Sequence, residues 1–447
     1  VLEERIAEWR AYLSRRQAIQ GVDGDELEDH LRSQVSDLKG AGLDEEEAFL
    51  IAVKRIGDLD TVSREYAREY SERLWKRLVV PAGEGGREWT REVTVGVALA
   101  VAAGVAIKIP ELFGIHWGPD EHAPWYARNL SLLSFPFLAA FFAWKRVVAP
   151  AVWIALGGMF AAAALVMNLM PFVPEGHTMV LAILHLPMAL WLVQGVAYAG
   201  GEWRDTRQRM DYIRFSGEWF IYYVLIALGG GVLSAITVLV FKAAGMDAQT
   251  LVVNWVIPVG VVGAVVVAGL LVEAKQSVIE NMAPVLTMIF TPLFTLLLLA
   301  FLGTMAVTGS GIDVEREVLI AFDLLLVVVV GLHLYALSAR DPQAEPGLFD
   351  RLQLFMVVCA LLVDALALWA ILGRISEFGF TPNRTAALGE NLILLANLAG
   401  AAVLYARFLG GRAQFASLER WQTAFLPVYL AWAVVVVVVF PPTFGFA

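Results

Sequence analysis

Cysteine is almost absent from this chain: Cys359 is the only one, and it lies in an apolar run. That excludes an intrachain disulfide and any cysteine-based metal site, and a lone thiol in such surroundings reads as a small buried hydrophobe. Basic charge is also scarce, with 33 Lys and Arg against 43 Asp and Glu and a formal net charge of -10. Nucleic acid is a poor partner for such a chain, because phosphate binding needs a basic footprint and no basic stripe exists. The six histidines, His30, His116, His122, His177, His185 and His333, are scattered, and no HExxH pair occurs. His116 and His122 fall near Glu111, Asp120 and Glu121 in one predicted loop, better read as an acidic solvated connection than as a zinc site. No metal and no cofactor is expected. The nucleotide and nucleophile patterns GxxxxGK[ST], GxGxxG and GxSxG are missing too, which removes the common sequence-readable routes to ATP hydrolysis, dinucleotide binding and serine hydrolysis.

Apolar residues are what the chain has in excess. They make up 58 % of 447 residues, against roughly 45 to 50 % in soluble proteins. Runs such as Val93 to Ala106 and Leu324 to Leu334 have no place to hide in a soluble fold. Windows of about twenty apolar residues predict spans near 93–110, 129–145, 148–169, 178–200, 218–241 and 251–273, then near 284–307, 317–338, 352–372, 390–409 and 423–440. The fold class expected is therefore all-α, a polytopic helical membrane protein with about eleven transmembrane helices at 93–440. The second span is the weakest of the set, being short and nearly continuous with the third.

Charge asymmetry sets an orientation. With the N-terminus in the cytoplasm, the inner connections carry Lys145, Arg146, Arg204, Arg207, Arg209, Arg214, Lys275, Arg340, Arg351, Arg407, Arg412 and Arg420. The outer side keeps Arg128, Lys242, Arg316, Arg374 and Arg384, with Lys108 added if it snorkels outward from the first span. This bias follows the positive-inside rule. Val1 to Arg77 holds no apolar core of the length a secretory signal needs, so insertion is expected to be directed by a later segment, and the bacterial inner membrane is the expected location.

Residues 1–80 read as a small cytoplasmic helical domain. Asp23 and Glu26 form a capping box ahead of Leu27, Leu31, Val35 and Leu38 at helical spacing, and Asp44 and Glu47 repeat it before Ala48, Ile51, Ala52 and Ile56. A third helix from about Asp60 carries Val62, Tyr66, Tyr70 and Leu74, and a weaker one covers Leu2 to Arg16. Residues 81–92, with Pro81 and Gly83 to Gly86, read as a hinge. The stretch ELEDHLRSQVSDLKGAGLDEEEAFLIAVKRIGDLDTVSREY, Glu26 to Tyr66, resembles the alpha-helical signalling domain also called the permease prefix domain. That resemblance implies a docking or regulatory role toward a cytoplasmic regulatory protein or membrane partner, and it brings no catalytic residues.

Ionisable groups inside lipid are costly and mark functional hypotheses. Asp323 and His333 fall in the eighth predicted span, Asp364 in the ninth, His185 in the fourth and Glu273 at the end of the sixth. Asp323 and Asp364 are candidates for a proton or cation relay, or for buried pairing with other helices. His185, two residues before Pro187, is expected to satisfy the carbonyl near residue 183 that the proline frees. The segment RISEFGFTPNRTAALGEN, Arg374 to Asn391, places Arg374, Glu377, Thr381, Asn383, Arg384 and Glu390 around Gly379 and Pro382, with Thr381 or Asn383 suited to cap the following helix. Two arginines on the face that usually avoids them suggest paired charges, a phosphate or lipid headgroup, or a solute carboxylate. This segment resembles the signature of a bacterial multi-pass family, domain of unknown function 4153, through Arg374, Phe378, Gly379, Thr381 and Arg384, with Phe378 standing where that family carries tyrosine. A second cluster, with Arg204, Arg207, Arg209 and Arg214, suits the interfacial layer or docking of the acidic N-terminal domain. Together these readings point to a regulatory, sensory or assembly module surrounded by membrane lipids. The alternatives are a transporter or permease-like protein for a small anionic or lipidic solute, and a membrane enzyme acting on a phosphorylated lipid.

Overall fold

A computed structural model describes the chain at residues 6, 28, 31–36, 38–39, 44, 48, 52, 84–118, 122–243, 245–274, 282–308 and 316–447, with 84–90, 282–285, 308, 316–318 and 321 described as backbone only. Two compact units divide at Arg91 and Glu92. In the first, Leu31, Val35 and Leu38 are buried along one helix face, as are Ala48 and Ala52. Arg32 pairs with Glu28 one turn back at 2.9 Å. These are the apolar positions the helical spacing predicts. The capping residues Asp23, Glu26 and Glu47 lie outside the described residues, as do the predicted helix from Asp60 and, apart from the buried Ile6, the one from Leu2 to Arg16.

Long helices make up the chain from Glu84 onward: α1 (Glu84–Ala106), α2 (Ala123–Lys145), α3 (Pro150–Leu169), α4 (His177–Tyr198), α5 (Thr206–Ala243) and α6 (Ile257–Ala274). They are followed by α7 (Met282–Thr308), α8 (Arg316–Ala339), α9 (Leu348–Phe378), α10 (Pro382–Leu409) and α11 (Phe415–Val438). The first turns of α1 occupy the segment read from sequence as a hinge. Ten helices among the described residues are long and apolar enough to cross a membrane. The protein is a multi-pass membrane protein. The expected eleventh span coincides with α2, which falls outside that set of ten; its first half carries Arg128, Asn129, Ser131 and Ser134, and Pro136 follows.

Helix ends gather on two faces. On an arginine-rich face, Lys145 at the end of α2 meets Glu92 in α1 at 3.1 Å and Glu273 at the end of α6 at 2.9 Å. Arg146 pairs with the same Glu273 at 3.1 Å and lies over the ring of Tyr198, the last residue of α4. Arg340, just past α8, pairs with Asp350 of α9 at 2.8 Å and sits over Phe408 of α10 and Phe415 of α11. It also donates to the Ala344 and Glu345 carbonyls, gathering the 341–350 connection around itself. On the opposite face Tyr126 at the start of α2 donates to the Ile115 carbonyl at 3.0 Å, and Asn383 of α10 meets His177 of α4 at 3.1 Å. α2 thus reaches both faces, antiparallel to α1, over the same distance as its neighbours.

Two of the bundle's several apolar clusters are the largest. One is built by α1, α2, α3, α4, α5 and α6 around Leu138, Phe142, Tyr212 and Val266. The other belongs to α7, α8, α9 and α10, around Leu326, Val357, Ala360 and Leu398. The long contacts of α11 with α4, and of α5 with α8, join them. Glycines let α10 accept the large rings of α11: a Cβ at Gly389 would lie 2.0 Å from Trp432, and one at Gly400 would lie 2.0 Å from Trp421.

Prolines inside helices free carbonyls, and here cations from other segments occupy two of them. Pro258 has no amide to return to the Asn254 carbonyl, the helix widens to a π turn over Val252–Val256, and Lys108 Nζ donates to that carbonyl at 2.7 Å. Lys108 is held between Glu111, the Asn254 carbonyl and the Trp255 ring. Pro427 likewise frees the Thr423 carbonyl, and Arg209 of α5 donates to it at 3.1 Å.

Candidate functional site

Asp323, Asp364 and Glu390 come from three adjacent helices, α8, α9 and α10. Asp364 is fully buried near the middle of α9, and among the described residues neither of its carboxylate oxygens has a hydrogen-bond partner. Asp323 accepts from Asn391 Nδ2 at 2.8 Å and lies within electrostatic reach of both Asp364 and Glu390. Asn391 is itself fully buried; its second amide hydrogen goes to the Ala387 carbonyl at 2.8 Å, and its Oδ1 has no donor. The cluster lies toward the face opposite the arginines. Asp323 stands about 10 Å along α8 from its start, Asn391 about 14 Å into α10, and Asp364 about 21 Å before the end of α9, at 1.5 Å per residue.

Nearer the arginine-rich face a chain of buried polar side chains links five helices. Asn397 Nδ2 of α10 donates to Gln422 Oε1 of α11 at 2.9 Å, and Gln422 Nε2 approaches His333 Nε2 of α8 at 3.4 Å. His333 Nδ1 meets Gln353 Oε1 of α9 at 3.2 Å, and Gln353 Nε2 donates to the Thr291 hydroxyl of α7 at 3.0 Å. One assignment satisfies every contact: a neutral imidazole with its proton on Nδ1, accepting at Nε2. All five side chains are buried. Sequence inspection weighted ionisable groups and passed over Gln353, Asn397 and Gln422. The available signal was an amide side chain in an otherwise apolar window, where an unpaired polar group is costly.

The other predicted residues are spread over the two faces. Thr381 caps α10, accepting from the Arg384 amide at 3.4 Å, with Pro382 in the first turn. Arg384 Nη1 donates to the Phe378 and Gly379 carbonyls at 3.0 and 2.9 Å and lies over the Phe378 ring, so it closes the C-terminal end of α9. Glu377 is exposed, and Arg374 is half-buried one turn before it. The helix geometry leaves both outside the Asp323 cluster, since Arg374 lies ten residues beyond Asp364, about 15 Å along α9. No family model, no curated protein and no solved structure matches the chain. Of the four arginines read as a docking patch, Arg214 donates to the Ser338 carbonyl at 3.0 Å, and Arg209 to the carbonyls of Trp203 and Thr423. Arg204 and Arg207 are exposed. His185 corrects the expectation for Pro187: its Nδ1 meets the Leu181 carbonyl at 2.9 Å, one turn back on its own helix, and not the carbonyl of residue 183.

Chemically, the two polar regions differ. The Asn397 to Thr291 chain is closed on itself except at Asn397 Oδ1, which has no donor, and it ties helices together. The carboxyl cluster gathers three carboxyl groups from three helices with few donors among the described residues, a costly arrangement inside a membrane span. Among the described residues no group of three His, Cys, Asp or Glu side chains forms a metal-binding set.

Proposed function

We propose that the protein is a cation-coupled secondary transporter of a bacterial cytoplasmic membrane, with eleven crossings and its N-terminus and arginine-rich face on the cytoplasmic side. The observation that carries this reading is Asp364, a fully buried carboxyl in mid-helix with no hydrogen-bond donor, beside Asp323. A permanently static bundle gains nothing from such a group, whereas a coupling site alternates between a cation-loaded and an empty form. The solute is small and anionic in this reading, because Arg374, Asn383 and Arg384 lie at the outer turn between α9 and α10, where arginine is usually sparse.

A regulatory, sensory or assembly role is the second reading. It is supported by the likeness of Glu26 to Tyr66 to the permease prefix domain and by the polar chain that ties five helices together around His333. In the transporter reading the same N-terminal unit is the regulatory input, docking to a cytoplasmic partner.

The test is solute uptake into proteoliposomes, using a panel of labelled carboxylates and phosphates and an imposed proton or sodium gradient. Wild-type protein is expected to accumulate at least one solute only when the gradient is present. The shape-conserving pair Asp323→Asn and Asp364→Asn is expected to abolish accumulation. Gradient-driven uptake that survives in the double variant, or wild-type vesicles that accumulate nothing across the panel, sinks the transporter reading.

A further inference from the structure

Arg128 of α2 carries a positive charge that the described side chains leave unanswered. Its one hydrogen bond runs from Nη1 to the Met167 carbonyl in the last turn of α3, at 3.4 Å. Nε is buried without an acceptor, Nη2 has none either and is not enclosed, and no carboxylate among the described residues pairs with the guanidinium. Other arginines of the bundle are fully engaged. Arg209, Arg214 and Arg384 each make two bonds to backbone carbonyls, and Arg340 grips Asp350 with Nε and Nη2 at 2.8 and 3.1 Å. Arg128 presents that same Nε and Nη2 edge, the fork that matches two oxygens of a carboxylate or phosphate, with no oxygen on it.

The neighbouring amide oxygens are already taken. Asn129 and Asn168 bond each other reciprocally, Nδ2 to Oδ1 at 3.0 and 2.7 Å, and each also donates to a carbonyl of its own helix, Trp125 and Ala164, at 2.9 Å. The pair pins α2 to α3 and fixes Arg128 at their junction. Depth identifies what lies beside it. Arg128 stands five residues into α2 and Met167 two residues before the end of α3, about 7.5 and 3 Å from the helix ends on the face opposite the arginine-rich one. Trp117 and Trp125 pack edge to face on Tyr126 at that same end, the aromatic level at which a bilayer's headgroups begin. Leu165 and Leu169 of α3 are exposed there, a surface for acyl chains. A phosphodiester in this layer brings two anionic oxygens to the free edge of the guanidinium.

We propose that Arg128 binds the phosphate of a phospholipid in the leaflet on that face, with the acyl chains along Leu165 and Leu169 of α3. The site stands on helices that carry none of the carboxyl cluster, so it is independent of the transporter reading. Inorganic phosphate offers the same oxygens without acyl chains, and a glycolipid offers the chains without the phosphate.

The experiment is photolabelling of the purified full-length protein in detergent micelles by phosphatidylglycerol carrying a diazirine beside its headgroup, with the labelled positions mapped by peptide mass spectrometry. Wild-type protein is expected to be labelled at the start of α2 and the end of α3. Unlabelled phosphatidylglycerol should compete for these positions about tenfold or more better than a phosphate-free diacyl glycolipid. Arg128→Met is expected to lose the label there. Arg128→Lys, which keeps the charge and loses the fork, is expected to keep a weakened label, and it serves as the second variant if Arg128→Met elutes as aggregate. Equal competition by the glycolipid against wild-type protein overturns the inference without recourse to any variant. Labelling of these helix ends that is unchanged in well-folded Arg128→Met overturns it as well. Full displacement of the probe by inorganic phosphate at constant ionic strength would assign the arginine to a free anion and overturn the lipid site.

Discussion

Arg209 of α5 donates to the Thr423 carbonyl of α11 at 3.1 Å, and Thr423 is the residue whose helical partner would have been the missing amide of Pro427. The same guanidinium bonds the Trp203 carbonyl and lies over the Trp203 ring, so one side chain joins the α4–α5 connection to α11. Lys108 and the Asn254 carbonyl, freed by Pro258, repeat the arrangement on the opposite face. Arg214 at the Ser338 carbonyl and Arg384 at the Phe378 and Gly379 carbonyls extend it to the C-terminal ends of α8 and α9. Each places a positive charge at the negative end of a helix or at an interruption within one, where orphan carbonyls need donors.

The proline and the arginine should therefore be energetically linked. Arg209→Met is expected to lower stability by about 1–3 kcal/mol, because it strands a half-buried carbonyl as well as losing a charge-assisted bond. Pro427→Ala returns an amide to the Thr423 carbonyl. In that background the cost of Arg209→Met should shrink by about 0.5 kcal/mol or more. Thermal unfolding of the four proteins in nanodiscs measures this; strictly additive losses would show that the arginine's anchor lies elsewhere.

His333 is the middle of the chain, with Gln353 Oε1 on its Nδ1 side and Gln422 Nε2 on its Nε2 side. His333→Leu leaves Gln353 Oε1 and Gln422 Nε2 without partners and is expected to cost about 1–2 kcal/mol, the upper range for interhelical polar contacts in membranes. Adding Gln353→Leu removes both sides of one bond, so the double variant should be less destabilised than the sum of the singles. Unfolding midpoints of the three variants decide it, and a sum that is simply additive contradicts the chain.

Crossing number and orientation are open to labelling, since Cys359 is the only cysteine and is buried. In a Cys359→Ser background, single cysteines at the exposed positions Leu112, Val147, Glu175 and Gln343 probe four connections. Leu112→Cys and Glu175→Cys are expected to react with an impermeant maleimide from outside intact cells. Val147→Cys and Gln343→Cys are expected to react only after the membrane is opened. Reaction of positions 112 and 147 from one side would mean that α2 does not cross, and a fully reversed pattern would place the N-terminus outside.

The length and periodicity of apolar runs determined the number and placement of the long helices. Hydropathy acts locally, and backbone groups in lipid must be satisfied within each helix, so a span announces itself in its own residues. Even the weakness of α2 was visible, in a predicted span that is short and nearly continuous with the next. The carboxyl cluster was visible only as separate charges, Asp323, Asp364 and Glu390, because sequence does not say which helices are neighbours. Tertiary packing alone brought Asp323 against Asn391, left Asp364 without a donor, and turned Gln353, His333, Gln422 and Asn397 into one chain. It also decided the use of the arginines. Charge counting placed them on faces, but the carbonyls that Arg209, Arg214 and Arg384 serve belong to other helices or to the end of one. A donor finds such an acceptor only once the helices are side by side, and that proximity is a property of the bundle.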